Sequence, residues 1–231
     1  MDGTTPATPV KVLGIMSSRD GTVVGDGLTS LFSRPVEGVH LESAVVSRIW
    51  PVDYMRNEIV RKALTKEWDY LWFVDDDVVP PPGITRLALH DKDIIAAPYF
   101  AMQWDAPNKP ELRRVVTIKD DDGNPVDETV LGSELRQVDG CGMGCTFIHR
   151  RVFEALDAPW FEYRCEYTDE KWDRKGEDFD LCDKAKAKGF EVWCDPKAMC
   201  NHYKLIDLNS VAILVNNKLK EQAERLSKAD G

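Results

Sequence analysis

The sequence predicts an α/β fold: a single domain with a mostly parallel central sheet and helices on both faces. Several segments are apolar throughout, which is typical of strands that are buried on both sides. Segments with helical spacing alternate with these strands, as the crossover connections of a parallel sheet require. A chain of 231 residues with 43% hydrophobic residues also has enough apolar material for one substantial core.

The first half of the chain contains the clearest alternation. Short apolar runs that stop at polar residues predict strands at 11–16, 39–46, 69–74 and 93–97. Apolar spacing, or proline at a helix start, predicts helices at 23–32, 52–64 and 84–89. Ligands of such sheets bind beyond the carboxyl ends of the strands. We therefore expect the loop 17–21 and the acids Asp75, Asp76 and Asp77 to be neighbours.

The second half begins with a polar stretch, residues 105–134, for which we predict a hairpin at 114–131 and the role of a binding loop or lid. The turn of that hairpin is expected at Asp122, Gly123 and Asn124. Strands are predicted at 135–138, 145–149 and 190–194, and helices at 151–156, 178–188 and 210–228. The helix 178–188 has acids in its first turn, lysines near its end and Gly189 as a cap.

The charge balance disfavours some broad classes of partner. Acidic residues outnumber basic ones by 40 to 30, for a net charge of −10, which disfavours general binding to nucleic acid or anionic membranes. Residues 1–9 lack the features of a signal peptide, and no apolar run is long enough to span a bilayer. Six cysteines without a secretion signal or a C-x2-C pair predict reduced thiols in the cytoplasm and disfavour structural zinc.

The acid triplet Asp75-Asp76-Asp77 is the first candidate for chemistry. Adjacent carboxylates repel one another, so a fold that keeps them together needs a compensating charge. At the end of a buried strand they suit Mg²⁺ or Mn²⁺, with substrate phosphates completing the coordination shell. The alternative is a solvated acidic turn before Pro80.

Two further candidates lie near the end of the chain. Glu177 and Asp178 follow Gly176, and a carboxylate there is either a general base or an ordinary first-turn charge. His202 follows the last predicted strand and is either a structural histidine or a metal ligand beside carboxylates.

The glycines Gly140, Gly142 and Gly144 form a fourth candidate. They either let a ligand approach the backbone closely or make a tight turn. Their spacing does not match a dinucleotide-binding fingerprint, and the chain has no P-loop.

These candidates occur in an order that resembles a known family. The matching segments are YMRNEIVRKAL, DYLWFVDDDVVPPPG, VDGCGMGCTFIHRRVFEAL and GEDFDLCDKAKAKGFEVWCDPKAMCNHY, which together cover most of the region 55–203. They resemble GT-A-fold glycosyltransferases, in particular compact, soluble family 2-like enzymes of phage or bacterial type and Anp1-like mannosyltransferases. The resemblance implies a flexible tail at 1–9, a GT-A domain at 10–208 and a C-terminal helix at 209–231. Within that domain, the nucleotide-binding half would cover about 10–104 and the acceptor-side half about 105–208.

The resemblance also implies roles for individual residues. The metal site would be formed by Asp75, Asp77 and His202, with Mn²⁺ or Mg²⁺ as the cation. The donor, a UDP- or GDP-sugar, would be bound by Ser17, Arg19, Arg56, Asn57, Asp75, Asp76, Gly142 and Gly144. Asp178, from the ED motif, and its neighbour Glu177 would be the catalytic residues.

The function implied is metal-dependent transfer of a sugar to a hydroxyl acceptor in the cytoplasm, or in the host cytoplasm for a phage protein. The acceptor class stays open: a glycan, a small molecule or a modified base in DNA. So do the oligomeric state and the choice between inversion and retention. The Q-x-x-R-W element of processive synthases is missing, which argues against polysaccharide synthesis at a membrane.

Two alternatives remain at the level of sequence. A nucleotidyltransferase would use related folds and metal-binding acids, although the loop 17–21 supplies a single basic residue. A non-catalytic nucleotide-sugar-binding module would keep the fold without turnover. For the acceptor side, some basic residues form either a local basic face or scattered surface charges: Arg113, Arg114, Arg150, Arg151, Arg174 and Lys175.

Overall fold

The computed structural model of the chain describes residues 8–18, 22–47, 51–106, 109–119, 132–168, 171–204 and 208–229. Its strands are β1 (Val10–Ser18), β2 (Val39–Ser47), β3 (Tyr70–Asp75), β4 (Val78–Val79), β5 (Ile94–Ala96), β6 (Phe100–Ala106), β7 (Lys109–Arg114), β8 (Val116–Thr117), β9 (Arg136–Gln137), β10 (Gly140–Cys141), β11 (Cys145–His149), β12 (Arg164–Thr168), β13 (Lys171–Lys175), β14 (Val192–Cys194) and β15 (Asn201–His202). Its helices are α1 (Gly25–Leu31), α2 (Val52–Ala63), α3 (Arg150–Ala155), α4 (Glu177–Ala187) and α5 (Leu208–Ala229), with 3₁₀ helices at Ile84–His90 and Pro196–Ala198.

The central sheet, as far as the chain is described, has seven strands in the order β2-β1-β3-β11-β5-β14-β9. Strand β1 pairs in parallel with β2 and β3, and β5 pairs in parallel with β14. Strand β11 runs antiparallel between β3 and β5, and β9 runs antiparallel at the edge. Five strands thus share one direction, and the mixed α/β fold with a mostly parallel sheet is confirmed.

Helices cover both faces of this sheet because the side chains of each buried strand alternate between two apolar layers. In β3, Leu71 and Phe73 belong to the layer that contains apolar residues of α2, α3 and α4. Tyr70, Trp72 and Val74 belong to the opposite layer, together with residues of α1 and the 3₁₀ helix Ile84–His90. This arrangement explains why β3 is apolar throughout and lacks the alternation of a half-exposed strand.

Strand register sets the position of the polar residues at the sheet edge. In the parallel pair β1–β3, Ser17 lies beside Asp75, so the carboxyl ends of the two strands meet. Strand β4 follows the acid triplet and pairs antiparallel with β15, which places His202 beside Val78. A segment near the end of the chain thereby returns to the end of β3.

The structure differs from the sequence predictions in several elements. Strand β1 continues through Ser18, so Ser17 lies in a strand and not in the loop that follows. The predicted helix 84–89 is a 3₁₀ helix that begins after Gly83, whose φ of 72° is left-handed. Two antiparallel hairpins, β6–β7 and β12–β13, were not predicted, because neither has a clear apolar alternation.

Part of the predicted hairpin at 114–131 lies outside the described residues, and so does its turn at 122–124. Its first strand is described in part, and β8 pairs there with β10. The tail 1–9 is described at residues 8 and 9. Within the described parts of the chain, none of the helices has both the length and the apolar character that a membrane span requires.

The stacked pair Trp72 and Phe147, with ring centroids 5.0 Å apart, tests this account of the core. Phe147 is fully buried, so Phe147→Ala is expected to lower the free energy of unfolding by about 3–5 kcal/mol through lost burial and a cavity. Urea denaturation measures this loss. Phe32→Ala is the matched control, since Phe32 is 60% exposed, and it should cost far less. Equal losses in the two variants would contradict the assignment of Phe147 to the core.

Candidate active site

A cleft of about 570 Å³ lies beyond the carboxyl ends of β1 and β3. Its walls come from both halves of the chain, since β3, α2, the start of α4 and the segment after β15 all contribute. Most of the residues predicted for the site line this cleft: Ser17, Arg56, Asp75, Asp76, Asp77, Glu177, Asp178 and His202. The structure therefore brings together residues that are far apart in the sequence.

Arg56 of α2 connects the two acidic segments. The residue is 4% exposed. Its Nη2 donates to Asp75 Oδ1 at 3.1 Å, and Nη1 donates to Glu177 Oε1. Burial acts to lower the pKa of Arg56, but the Asp75 and Glu177 carboxylates outweigh it and raise that pKa above its ordinary value. The arginine is thus a permanent positive charge that holds the end of β3 against the start of α4.

Asp75 is held from two sides. Ser17 Oγ donates to Asp75 Oδ1 at 3.3 Å, and Arg56 donates to the same oxygen. The Asp75 side chain remains 30% exposed toward the cleft. Its neighbour Asp76 also lines the cleft, and its backbone carbonyl accepts a hydrogen bond from Val24 N at 2.9 Å.

Asp77 forms a second charged group with His202 and Lys204. His202 Nε2 lies 3.3 Å from Asp77 Oδ1, and the Lys204 ammonium forms an ion pair with Oδ2. Burial acts to raise the pKa of Asp77, but the hydrogen bonds from His202 and Lys204 lower it below its ordinary value. The backbone reinforces the contact, because Tyr203 N donates to the Asp77 carbonyl at 2.8 Å.

The protonation of His202 follows from the partners of its two ring nitrogens. His202 Nδ1 lies 2.7 Å from the Phe100 carbonyl, which can only accept, so Nδ1 carries a proton. Nε2 faces the Asp77 carboxylate, which also only accepts, so these contacts are those of a ring protonated at both nitrogens. Burial acts to lower the pKa of His202, but the hydrogen bonds to Asp77 and to the Phe100 carbonyl raise it above its ordinary value. The Tyr99 ring packs edge-on against the imidazole at 5.2 Å. A hydrogen bond such as that from His202 Nδ1 to the Phe100 carbonyl orients the ring, and it is typical of histidines that ligate metals.

The oxygen and nitrogen donors of Asp77 and His202 fit Mn²⁺, and the carboxylate also fits Mg²⁺. In the described residues, no group of three or more His, Cys, Asp or Glu side chains is arranged to hold a metal. A closed structural site is therefore not present in that part of the chain. The donor set instead suits a cation whose remaining ligands are substrate phosphates and water.

Asp178 has the environment of a proton acceptor. Burial, followed by the negative charge of Glu177, raises its pKa to about 6. Its Oδ1 accepts from Phe179 N at 2.8 Å. A Cβ on Gly176 would lie 2.6 Å from this oxygen, so the carboxylate occupies space that only glycine leaves free. A carboxyl group with a pKa near neutrality suits general acid–base chemistry.

The structure gives Asn57 contacts with backbone outside the cleft. Its Nδ2 donates to the Asp53 and Phe161 carbonyls, and its Oδ1 accepts from Trp160 N and Phe161 N. These bonds use the donors and acceptors of the amide and fasten the 160–161 segment to α2. The contact of Asn57 with a nucleotide stays a prediction.

Gly142 and Gly144 do not line the cleft, and Tyr99 explains why glycine occupies both positions. A Cβ on either glycine would come within 2.6 Å of Tyr99 atoms. Gly144 N also donates to Tyr99 Oη at 3.1 Å. The glycines accommodate a buried tyrosine of the cleft wall, and their contact with a donor sugar stays a prediction. The predicted donor residue Arg19 lies outside the described residues.

Three polar residues of the cleft were not predicted from the sequence: Tyr99, Tyr163 and Lys204. Lys204 lies two residues after His202, so its proximity to that histidine was the available signal. Burial raises the pKa of Tyr163, and the neighbouring Glu177 charge and hydrogen bond add to the effect. Tyr99 and Tyr163 belong to no motif, and folding alone brings them to the cleft.

Comparisons with known proteins support the fold. No protein-family profile and no curated protein matches the sequence. The structure is similar to A197 from STIV, with a TM-score of 0.57 and 21% identity, over 86% of this chain and 87% of that chain. It is also similar to GalNAc-T7, solved with UDP, GalNAc and Mn²⁺, with a TM-score of 0.56 and 12% identity. This match covers 86% of the present chain and 45% of the GalNAc-T7 chain. The likeness confirms a GT-A-like fold, and the closer resemblance to Anp1-like enzymes stays a prediction.

Replacement of the bridging arginine tests the electrostatic account of the site. Arg56→Met leaves the Asp75 and Glu177 carboxylates without their shared cation, so it should lower the free energy of unfolding by about 3–5 kcal/mol. The measurement is urea denaturation at neutral pH. Arg61→Met on the same helix is the control, because its ion pair with Glu58 is exposed and should contribute little. A wild-type denaturation midpoint for Arg56→Met would show that the bridge does not stabilise the site.

Proposed function

We propose that this protein is a metal-dependent glycosyltransferase that moves a sugar from a nucleotide-diphosphate sugar to a hydroxyl acceptor. One observation carries the proposal: a single cleft joins the acids at the end of β3 to Asp178 at the start of α4, with His202 beside Asp77. Further support comes from the GT-A-like fold, which is shared with GalNAc-T7, a protein solved with UDP, GalNAc and Mn²⁺.

On this proposal, the acids and His202 form the donor end of the cleft. Asp77 and His202 would hold Mn²⁺ or Mg²⁺, and Asp75 would bind the ribose while Arg56 and Ser17 keep its carboxylate in place. The bound cation would supply Lewis-acid stabilisation of the charge that develops on the leaving diphosphate. Lys204 adds a positive charge to the same wall of the cleft.

Asp178 would serve the acceptor. As a carboxylate it can take the proton of an acceptor hydroxyl that attacks the anomeric carbon, and direct attack of this kind inverts the configuration. In a retaining enzyme the leaving diphosphate would receive the proton instead. The NMR signal of the product's anomeric proton distinguishes the two outcomes.

Nucleotide binding tests the donor site. UDP or GDP at about 100 times its Kd should raise the melting temperature by roughly 5–10 °C when Mn²⁺ or Mg²⁺ is present, and far less with a chelator. Differential scanning calorimetry measures both conditions.

Asp77→Asn should abolish the metal-dependent shift and lower transfer on the order of 100-fold or more, while the protein stays folded. Full transfer by Asp77→Asn would refute the metal assignment, and release of pyrophosphate from a nucleoside triphosphate would favour nucleotidyl transfer.

The pH dependence of transfer tests Asp178. Since its pKa is raised to about 6, the carboxylate is protonated below that pH and ionised above it. A general base must be ionised, so kcat/KM should rise about tenfold per pH unit below 6 and level off above. Asp178→Asn should lower the plateau by about 10²–10⁴-fold and remove this limb. Asp157→Asn, which changes an exposed acid outside the cleft, should keep the wild-type profile. The same rise of kcat/KM with pH below 6 in Asp178→Asn would exclude Asp178 as the base.

A further inference from the structure

A second, smaller pocket of about 280 Å³ lies beside the cleft, and we call it the basic pocket. It is formed around the β12–β13 hairpin, the outer side of α4 and the β8–β10 pair. Its charged lining residues are Lys119, Arg174, Lys175, Lys186, Asp139 and Asp183. The functions assigned above make no use of these side chains.

The basic pocket and the cleft share a wall. Gly176 lines both, and Asp178, which lines the cleft, follows two residues later. Gly176 has no side chain that would separate the two spaces at this point. A ligand seated in the basic pocket is therefore next to the proposed general base.

The charges of the basic pocket contrast with those of the whole protein. Four cations face two carboxylates there, a formal surplus of two positive charges in a chain with a net charge of −10. Both carboxylates already have cationic partners: Lys175 and Lys186 pair with Asp183, and Lys186 lies 3.7 Å from Asp139. Lys119 and Arg174 have no ion pair among the described residues, so the surplus resides in these two exposed side chains.

Other basic residues from the sequence analysis do not contribute to this surplus. Arg150 pairs with Glu154 and donates to carbonyls after α2, while Arg151 pairs with Asp91 and Asp93. Neither Arg150 nor Arg151 lines the basic pocket. The positive charge near Asp178 is thus a local feature of the hairpin and of Lys119, which lies two residues after β8.

The pocket also has an apolar surface. The Phe179 ring packs over Gly140 so closely that a Cβ there would lie 2.8 Å from Phe179 Cδ1. The ring is half-buried and remains part of the lining. An apolar wall beside cations fits a ligand that has a carbon skeleton as well as an anionic group.

We propose that the basic pocket binds the phosphate group of a small phosphorylated acceptor, whose hydroxyl then reaches Asp178. This rests on the proposed function, and it names the class of acceptor. Lys and Arg are the side chains that recognise phosphate, through charge-assisted hydrogen bonds. The volume of about 280 Å³ suits a small molecule, and the net charge of −10 repels a long polyanion such as DNA.

The acceptor phosphate takes no part in the bonds that change. The acceptor hydroxyl oxygen forms the new bond to the anomeric carbon of the donor sugar. The bond from that carbon to the diphosphate breaks, and the diphosphate leaves with the electron pair. The hydroxyl proton goes to the Asp178 carboxylate. The phosphate serves only to orient the hydroxyl.

Isothermal titration calorimetry of the full chain tests the proposal with matched probes: glucose 6-phosphate against glucose, and glycerol 3-phosphate against glycerol. At least one phosphorylated probe should bind tenfold or more tightly than its neutral partner. The double variant Lys119→Gln/Arg174→Gln should lose about tenfold or more of that affinity, by the loss of charge-assisted hydrogen bonds. The control Arg34→Gln/Lys188→Gln removes the same charge from exposed residues outside both pockets and should bind as the wild type does.

Three outcomes would overturn the proposal: no preference for any phosphorylated probe, unchanged affinity in the Lys119/Arg174 variant, or tighter binding of a single-stranded 12-nucleotide DNA through the same two residues. Thermal denaturation of each variant checks that it is folded. The metal-dependent UDP shift of the wild-type chain is measured separately. If UDP gives no metal-dependent shift while phosphate binding depends on Lys119 and Arg174, the glycosyltransferase proposal is refuted and the phosphate site is retained. A metal-dependent UDP shift without charge-dependent phosphate binding would refute the phosphate site alone.

Discussion

The buried guanidinium of Arg56 is the interaction on which the rest of the site depends. A charge with 4% exposure is tolerated only when it is paired, and its partners come from the end of β3 and the start of α4. Met55 and Ile59, on the same helix, pack into the apolar layer beneath. The packing of α2 therefore positions the guanidinium, and the guanidinium keeps two carboxylates together that would otherwise repel each other. The packing of the apolar core thus sets the positions of the charged groups in the cleft.

A second constraint is the direction of the strands. Because β1 and β3 are parallel, both end at the same edge of the sheet, and their register puts Ser17 against Asp75. The pairing of β4 with β15 then brings His202 to Asp77 from a distant part of the chain. Ser17, Asp75 and His202 are thus each attached to a strand with a fixed backbone hydrogen-bonding pattern, which limits the movement of this part of the cleft.

These constraints explain how far the sequence could predict the molecule. Apolar runs predict β1, β2 and β3 well, since burial on both faces leaves a local composition signal. Local composition does not indicate the direction of a strand, so nothing in the sequence distinguishes the antiparallel β11 from its parallel neighbours. Asp75, Asp178 and His202 could be found because they belong to ordered motifs. Tyr99 could not, because its place in the cleft depends on the missing side chains of two glycines elsewhere in the chain.

Two environments of opposite character adjoin at Gly176, the acidic cleft and the basic pocket. The strands of the β12–β13 hairpin pair with each other and, within the described residues, with no strand of the central sheet. Apart from Arg164, which pairs with the buried Asp180 of α4, residues on this hairpin can therefore change without disturbing the strand ends that hold the acids. On the proposed function, Arg174 and Lys175 of the hairpin would thus stand on a different support from the acids of β3, and redesign of the hairpin would be a route to new acceptor specificity.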